Sequence, residues 1–343
     1  MSKPLVRRVT RADIAREAGT SVAVVSYVIN NGPRPVAPAT RERVLAAIKK
    51  TGYRPNGIAR ALASGTTRTY GLVVPNIANP FISSMAHALQ QEAFADGRVL
   101  LLGDAGDDRV RERELVNNLL HRQVDGLIYT SVDRHPWIEM IQASGTPLVM
   151  LDRVAPELQV SAIQVNEQRA AWQATRHLIE HGYREIAIIC GPLEMLNTQD
   201  RISGWRQALE EAGLTPDPAW IFATDYTRQG GYDAAQRMLA GALPRALFAT
   251  NAQQAFGCLR ALAGHGLSVP DDLALVCFNG TVESAFNVPS LTAVRQPVIS
   301  MARKAIEMLK QWDGEPERCE FDFELEIGES CGCRPAAHAR KSN

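Results

Sequence analysis

Apolar positions recur along this chain with two different periods, and the change between them divides it. Over 10–51 the spacing is helical. Ile14, Ala15 and Ala18 mark one face of a short helix over 10–18. Thr10 is placed to cap it, Asp13 is a weak capping-box partner, and Gly19 fits its C′ position. Ser21 caps a second helix over Val22–Ile29, whose inward face draws on Val24, Val25 and Val28. About three residues with a glycine separate the two, the spacing of a helix-turn-helix. Pro38 opens a third helix over 38–51, with Val44, Leu45 and Ile48 inward and Gly52 at its end. In YRPNGIARALASGTTRT, Pro55 breaks the chain and Asn56 can cap a helix over 57–63. Gly57 makes that helix marginal, and so short a helix does not persist alone in water. It is suited to forming on a partner, inside a linker that ends in Ser64, Gly65, Thr66 and Thr67.

From Tyr70 the pattern changes to apolar runs of strand length alternating with amphipathic helices. The runs fall at 71–75, 99–103, 125–130, 147–151, 185–190, 245–250 and 273–278. Helical stretches between them include Phe81–Ala95, Arg111–His121, Arg169–His181, Arg201–Ala212 and Gly230–Ala240. This alternation predicts doubly wound parallel sheets, and the length suffices for two subdomains. The expected fold is an all-α helix-turn-helix headpiece plus an α/β core of two such subdomains. Ligands in that architecture bind beyond the carboxyl ends of the strands, often between subdomains. The expected domains are a headpiece over 1–54, a hinge helix and linker over 55–68, a core over 69–335 and a disordered tail over 336–343.

The formal net charge of the 343-residue chain is zero, but residues 1–65 hold 12 Lys/Arg against 3 Asp/Glu, a net of +9, and the remainder holds 25 against 34, a net of −9. A basic terminal segment with folded-domain patterning points to a polyanionic partner. A hydrophobic content of 45% and a charged content of 22% suit a soluble globular protein. No apolar run approaches the length of a membrane span, and the basic N-terminus lacks the apolar centre of a secretory signal, so a cytoplasmic location is expected.

Little points to catalysis or a cofactor. There is no P-loop, no glycine-rich dinucleotide turn after a strand and no G-x-S-x-G elbow, so an enzyme is not expected. Of the six cysteines only Cys331 and Cys333 are close, as C-x-C, and no neighbouring Cys/His set completes four zinc ligands. His177 and His181 stand at i, i+4 with no third ligand evident, so no metal is expected and both read as polar-face residues. The charged run Asp107–Glu114 reads as a solvated helix start with i, i+4 pairing. A periplasmic binding protein would share the core fold but would need a signal peptide and would lack the first 65 residues' pattern.

At this point VTRADIAREAGTSVAVVSYVINN, YRPNGIARAL, GLVVPNIANPFIS, VDGLIYT, PLVMLDR, HLIEHGYREIAIICGP, RISGWRQAL, PSLTAVRQP and ESCGC stand in one order along nearly the whole chain. Together they resemble the LacI/GalR family of bacterial regulators. The resemblance implies a homodimer that places two recognition helices in successive major grooves. Two hinge helices then enter the minor groove of a near-palindromic operator with a deformable centre, and a small effector, sugar-like by family expectation, binds between the core subdomains. Repression is the commoner outcome in the family. The short tail after Pro335 shows no heptads, so a dimer is expected rather than a tetramer.

Carried over residue by residue, the resemblance sets Val22, Ala23 and Tyr27 against base edges, with Arg the usual family residue where Tyr27 stands. Thr10, Ser21, Ser26 and Asn30 suit phosphates and register. Leu62 matches the hinge wedge, Ala59 lets the hinge approach the groove, and Asn56 and Arg60 reach backbone oxygens. Ala37 departs from a usual capping Ser before the third helix. In the core, Phe81, Ile82, Asp152, Arg153, Met195, Asn197, Arg201, Tyr226, Asn251 and Asn279 match cleft positions, Arg201 being the ligand-gripping arginine. The family commonly has Asp at Asn279 and after Asn251. A cleft that lacks those carboxylates and keeps Arg201 suggests a neutral or anionic effector, such as a sugar, sugar acid or phosphosugar.

Overall fold

The computed structural model describes residues 9–30, 34–151 and 153–333, with the side chains of Ile58, Ala59 and Ala63 outside that description. Asp152 and the tail over 336–343 therefore lie outside it. The chain divides into two compact units, Met1–Thr67 and Arg68–Asn343.

The first unit holds α1 (Arg11–Glu17), α2 (Val22–Asn30), α3 (Pro38–Thr51) and α4 (Gly57–Ser64). Thr10 and Asp13 close the reciprocal capping box expected of them: the Thr10 hydroxyl accepts from the Asp13 backbone N–H at 3.3 Å, and the Asp13 carboxylate accepts from the Thr10 N–H at 2.9 Å. Gly19 and Gly52 take the left-handed conformation that ends α1 and α3. Ala37 precedes α3 without a side-chain cap. Ile14, Ala15, Ala18, Val25, Val28, Val44, Ala47 and Tyr53 form the core. Two expected core positions differ. Leu45 is 50% exposed, and its place is taken by Ala47, which lies three residues from Val44 on the same helical face. Val24 is only half-buried, because Val25 and Val28 already fill the inward stripe of α2.

The second unit runs β1 (Thr69–Val74), α5 (Pro80–Ala95), β2 (Val99–Asp104), α6 (Arg109–His121), β3 (Gly126–Tyr129), α7 (Ile138–Ala143), β4 (Leu148–Met150) and β5 (Ser161–Val165). It continues through α8 (Glu167–Glu180), β6 (Ile186–Cys190), α9 (Leu196–Glu211), β7 (Ile221–Ala223), α10 (Arg228–Leu239), β8 (Ala246–Ala249), α11 (Ala252–Gly264) and β9 (Ala274–Phe278). The final elements are α12 (Val282–Phe286), β10 (Thr292–Arg295), α13 (Val298–Lys310), β11 (Arg318–Phe321) and β12 (Glu324–Glu326). Two six-stranded sheets result, ordered β11-β5-β4-β3-β1-β2 and β12-β10-β9-β8-β6-β7. Among the described residues every strand pairing is parallel except β10 with β12. The chain passes between the sheets three times, after β5, after β10 and after β11, so each subdomain is built from separated stretches of sequence.

The seven apolar runs of the sequence became β1, β2, β3, β4, β6, β8 and β9. Five further strands lie outside those seven runs. β7, β11 and β12 are short edge strands; β7 falls in the apolar stretch 219–223, which the expected runs omit, and β11 and β12 are half-exposed or exposed, so nothing demands a continuous apolar run there. β5 and β10 mix polar residues into short interior strands. The charged run before α6 also differs from expectation. Asp108 does cap α6, accepting from the Val110 and Arg111 N–H groups, but Glu112 is fully buried. Its carboxylate accepts from the Val132 N–H at 2.7 Å.

Candidate DNA-reading face and effector cleft

In the first unit, α2 turns Val25 and Val28 inward, which leaves the opposite face to solvent. Val22 is 46% exposed, Ser21, Ala23 and Asn30 are exposed, and Ser26 and Tyr27 are half-buried. Positions 22, 26 and 30 and positions 23, 27 and 30 each follow helical spacing, so these residues make one surface. The Asn30 amide donates to the Ser26 hydroxyl at 3.2 Å along that surface. The Thr10 and Ser21 hydroxyls sit where α1 and α2 begin, Ser21 accepting from the Val24 N–H at 3.3 Å. Helix N-termini and small hydroxyls are suited to phosphate oxygens. On α4, Arg60 is exposed and Leu62 is 82% exposed, with no partner in the unit's core. The Asn56 carbonyl accepts from the Arg60 N–H at the start of that helix. Ala59 is part of α4, but its side chain lies outside the described residues.

In the second unit a cavity of about 840 Å³ lies between the two sheets. Phe81, Ile82, Arg153, Met195, Asn197, Arg201, Tyr226, Asn251 and Asn279 all line it. They arrive from the carboxyl ends of strands in both sheets: Phe81 and Ile82 in the first turns of α5 after β1, Met195 to Arg201 around α9 after β6, Asn251 after β8, Asn279 after β9. Asn79 caps α5 by accepting from the Phe81 N–H at 3.0 Å, at the helix start that brings Phe81 to the cavity. Asn279 adopts a left-handed backbone with φ 56°, a conformation that Asn accepts more readily than most residues, and its Oδ1 accepts from Gln296 Nε2 at 2.6 Å.

Tyr226 is held on three sides. Its hydroxyl donates to Asn197 Oδ1 at 3.0 Å and lies 2.5 Å from the Thr198 hydroxyl. Its ring crosses the backbone at Gly191, where a Cβ would stand 2.1 Å from the Tyr226 Cζ. Asn251 has a supporting part: its Oδ1 accepts from the Gln254 N–H at 2.7 Å to cap α11, and its Nδ2 donates to the Tyr226 carbonyl at 3.1 Å. Its amide is thereby committed to shaping the wall.

Charge is where the cleft departs most from its sequence. Arg201 Nε donates to Glu167 Oε2 at 2.7 Å with both side chains buried, Nη1 donates to the Thr250 carbonyl at 2.7 Å, and the guanidinium lies over the Phe278 ring. Arg153 pairs with Asp200 at 2.6 Å. The charged residues described along the cavity are Asp107, Glu167 and Asp225 against Arg153, Arg201 and Arg228, three of each sign. Sequence reasoning missed Glu167, Gln253 and Gln296. Gln253 is buried on α11 with its Nε2 unpartnered at the cavity, and nothing in a helical AQQAF pattern marks that glutamine over its neighbour.

The expectation that no Cys/His set converges does not hold. His177, His181, Cys331 and Cys333 come together, their ligating atoms all within 4.8 Å of one another. The two pairs are some 150 residues apart in sequence, beyond any spacing rule. Cys190, Cys258 and Cys277 are buried thiols whose ionisation burial pushes up to about 12, and they serve as packing.

Residues 10–56 match the profile of bacterial regulatory proteins of the lacI family, and residues 175–331 match that of a periplasmic binding protein-like domain. The chain is 34% identical over 309 residues to catabolite control protein A of Priestia megaterium, covering 89% of this chain and 92% of that protein. A solved complex of the transcriptional regulator CelR with cellobiose is 32% identical and superposes with a TM-score of 0.70, covering 94% of this chain and 100% of the other. The lac repressor dimer bound to operator and an anti-inducer is 26% identical, with a TM-score of 0.83 over 95% of this chain and 99% of that one.

Proposed function

Because this chain belongs to the LacI family of bacterial regulatory proteins, we propose that it binds a near-palindromic operator as a homodimer and represses transcription under the control of a small carbohydrate-derived effector. The observation that carries the reading is the outward face of α2. A folded helix-turn-helix unit leaves Val22, Ala23, Ser26, Tyr27 and Asn30 on one surface that its own core does not use. Val22 and Ala23 offer apolar contact to thymine methyl groups, Tyr27 a hydroxyl and a ring, and the small polar groups set register on phosphates. Leu62 is the wedge at the operator centre, with Asn56, Ala59 and Arg60 beside it on the backbone. The headpiece is assigned to 1–54, the hinge to 55–68 and the sensing core to 69–335.

The effector is a neutral polyhydroxylated molecule of monosaccharide to disaccharide size. The cavity volume falls in the range of small-molecule sites, its described charges balance, and its amides and the Phe81 ring suit hydroxyls and an apolar sugar face. Cellobiose in the CelR complex is a neutral sugar in a relative of the same architecture. Within the neutral or anionic range expected from sequence, the buried Glu167 opposite Arg201 favours the neutral end.

The dimer is assigned to two exposed apolar clusters of the core. One surrounds the edge strand β2 and the helices packed on it, with Phe94, Val99, Leu102 and Val110; the other is Val282, Phe286 and Val288 near α12. The lac repressor neighbour is itself described as a dimer on operator. Relatives are transcriptional regulators, and we assign this chain no catalytic role. No helix among the described residues is long and apolar enough to cross a membrane, and we place the protein in the cytoplasm with its DNA.

Selection of the full-length protein on a random duplex pool at fixed salt tests the reading. Enrichment of a near-palindrome that neutral sugars then release or tighten is the expected result. Salt-sensitive binding without any enriched sequence, with and without pooled sugars, would overturn it.

A further inference from the structure

We propose that His177, His181, Cys331 and Cys333 are the four ligands of a tetrahedral zinc(II) site that fastens the end of the sensing core to α8. This assignment does not depend on the operator or the effector.

The two halves of the set are each fixed before any ion arrives. His177 lies in the last turn of α8 and His181 is its C-cap, so i, i+4 spacing sets both imidazoles on one face with ring centroids 4.8 Å apart. Cys331 and Cys333 end a segment that the second sheet grips closely. Ser330 Oγ donates to the Leu275 carbonyl at 2.6 Å and accepts from the Thr292 N–H at 2.9 Å, and the Thr292 hydroxyl donates to Cys331 Sγ at 3.0 Å. Gly332 between the cysteines takes φ +94°, a left-handed turn that only glycine adopts without strain. The turn returns Cys333 to the side that Cys331 faces. Cys333 Sγ then lies 3.0 Å from His181 Nε2 and 3.8 Å from His177 Nε2.

The distances suit one ion. Zinc–sulfur bonds of about 2.3 Å and zinc–nitrogen bonds of about 2.0–2.1 Å imply tetrahedral edges of roughly 3.3–3.8 Å. All six separations in the cluster lie within 4.8 Å, so shifts of about 1 Å or less bring the four atoms onto that tetrahedron. Two thiolates and two imidazoles select zinc, cobalt or cadmium over magnesium or calcium. Four side-chain ligands leave no open position, which makes the site structural rather than catalytic. The bond set joins positions 152 apart along the chain. An ion bound only by the folded core stabilises it by mass action. The rival use of the C-x-C pair is a local disulfide, although both thiols are free here.

Full-length protein, stripped with a chelator under reducing conditions and titrated with cobalt(II), decides between them. The expected result is one cobalt per chain, with the sulfur-to-cobalt charge-transfer band and the strong visible absorption of a tetrahedral ion, both erased by one equivalent of zinc. Cys333→Ser and His181→Gln each remove one of the four ligands and weaken zinc binding by more than the roughly tenfold expected for loss of an outer-shell partner. Zinc raises the Tm of the parent core by more than that of either variant at the same zinc concentration. A cobalt spectrum no different from that of the hexa-aqua ion would overturn the proposal in the parent protein alone, whatever the variants do. So would an unchanged tetrahedral spectrum in both variants, or a Cys331–Cys333 disulfide that forms in air equally fast with and without zinc.

Discussion

Arg201 Nε and Glu167 Oε2 meet at 2.7 Å, each side chain more than nine-tenths buried, at the point where the chain first crosses between the two sheets of the core. Glu167 opens α8 and Arg201 lies in α9, so the pair ties together two helices that also pack along their lengths. A buried charge stripped of its partner is costly. Glu167→Ala is expected to lower the stability of the core by about 3–5 kcal/mol and to abolish effector response. Urea unfolding of the core transition checks the first, and effector-dependent operator release checks the second. Full stability with altered effector choice would show that the ion pair serves recognition alone.

Tyr27→Ala removes a hydroxyl and a ring from the outward face of α2 without touching Val25 or Val28 beneath it. Specific operator affinity should fall by about 1–3 kcal/mol, roughly five- to 150-fold, while binding to random duplex stays within error. Fluorescence anisotropy on both duplexes at one salt concentration measures the ratio. An equal loss on both would make Tyr27 a phosphate contact.

Leu62→Ala should leave the unfolding of the headpiece unchanged, because the side chain is 82% exposed and outside the core. Operator bending is expected to diminish, since the wedge that unstacks a base step is gone. Energy transfer between dyes at the two ends of a short operator reads the bend directly; an undiminished bend would assign Leu62 to another surface.

Gly191→Ala drives a methyl group into the Tyr226 ring and displaces it from Asn197 and Thr198. Effector affinity should drop by about ten- to a hundredfold through the lost polar contacts, with operator binding in the absence of effector preserved. Calorimetric titration of the effector recovered in the functional screen would reveal it, and parent-like affinity would place the ligand away from Tyr226.

Burial pushes the Glu112 carboxyl above the usual carboxylate range, the Val132 N–H offsetting only part of the effect. Folding therefore favours the protonated acid. The ionised group costs stability that grows as pH rises through the ordinary glutamate range and is absent below it. Glu112→Gln should raise the Tm at neutral pH, with the gain vanishing in acid. A Tm difference that does not change between neutral and acidic buffer would contradict the burial argument.

Local order was legible along the chain itself. The Thr10–Asp13 capping box, Gly19 and Gly52 ending their helices, Pro38 opening α3 and the seven apolar strand runs depend on residues within one or two turns of each other, where spacing carries the signal. Charge asymmetry between residues 1–65 and the remainder needed only counting. Motif order brought nine of the ten cleft positions to one cavity, Asp152 lying outside the described residues. What the tertiary structure alone decided involves groups brought together from far apart. Leu45 lost its core place to Ala47 because two neighbouring helices covered only one stripe of α3. Glu112 was buried by the loop after β3, which its charged neighbours in sequence could not foretell. Glu167 became the counter-charge of Arg201 across 34 positions, and His181 met Cys333 across 152. Periodicity reports which face of an element turns inward, whereas the partner waiting there is set by the order in which strands assemble into sheets.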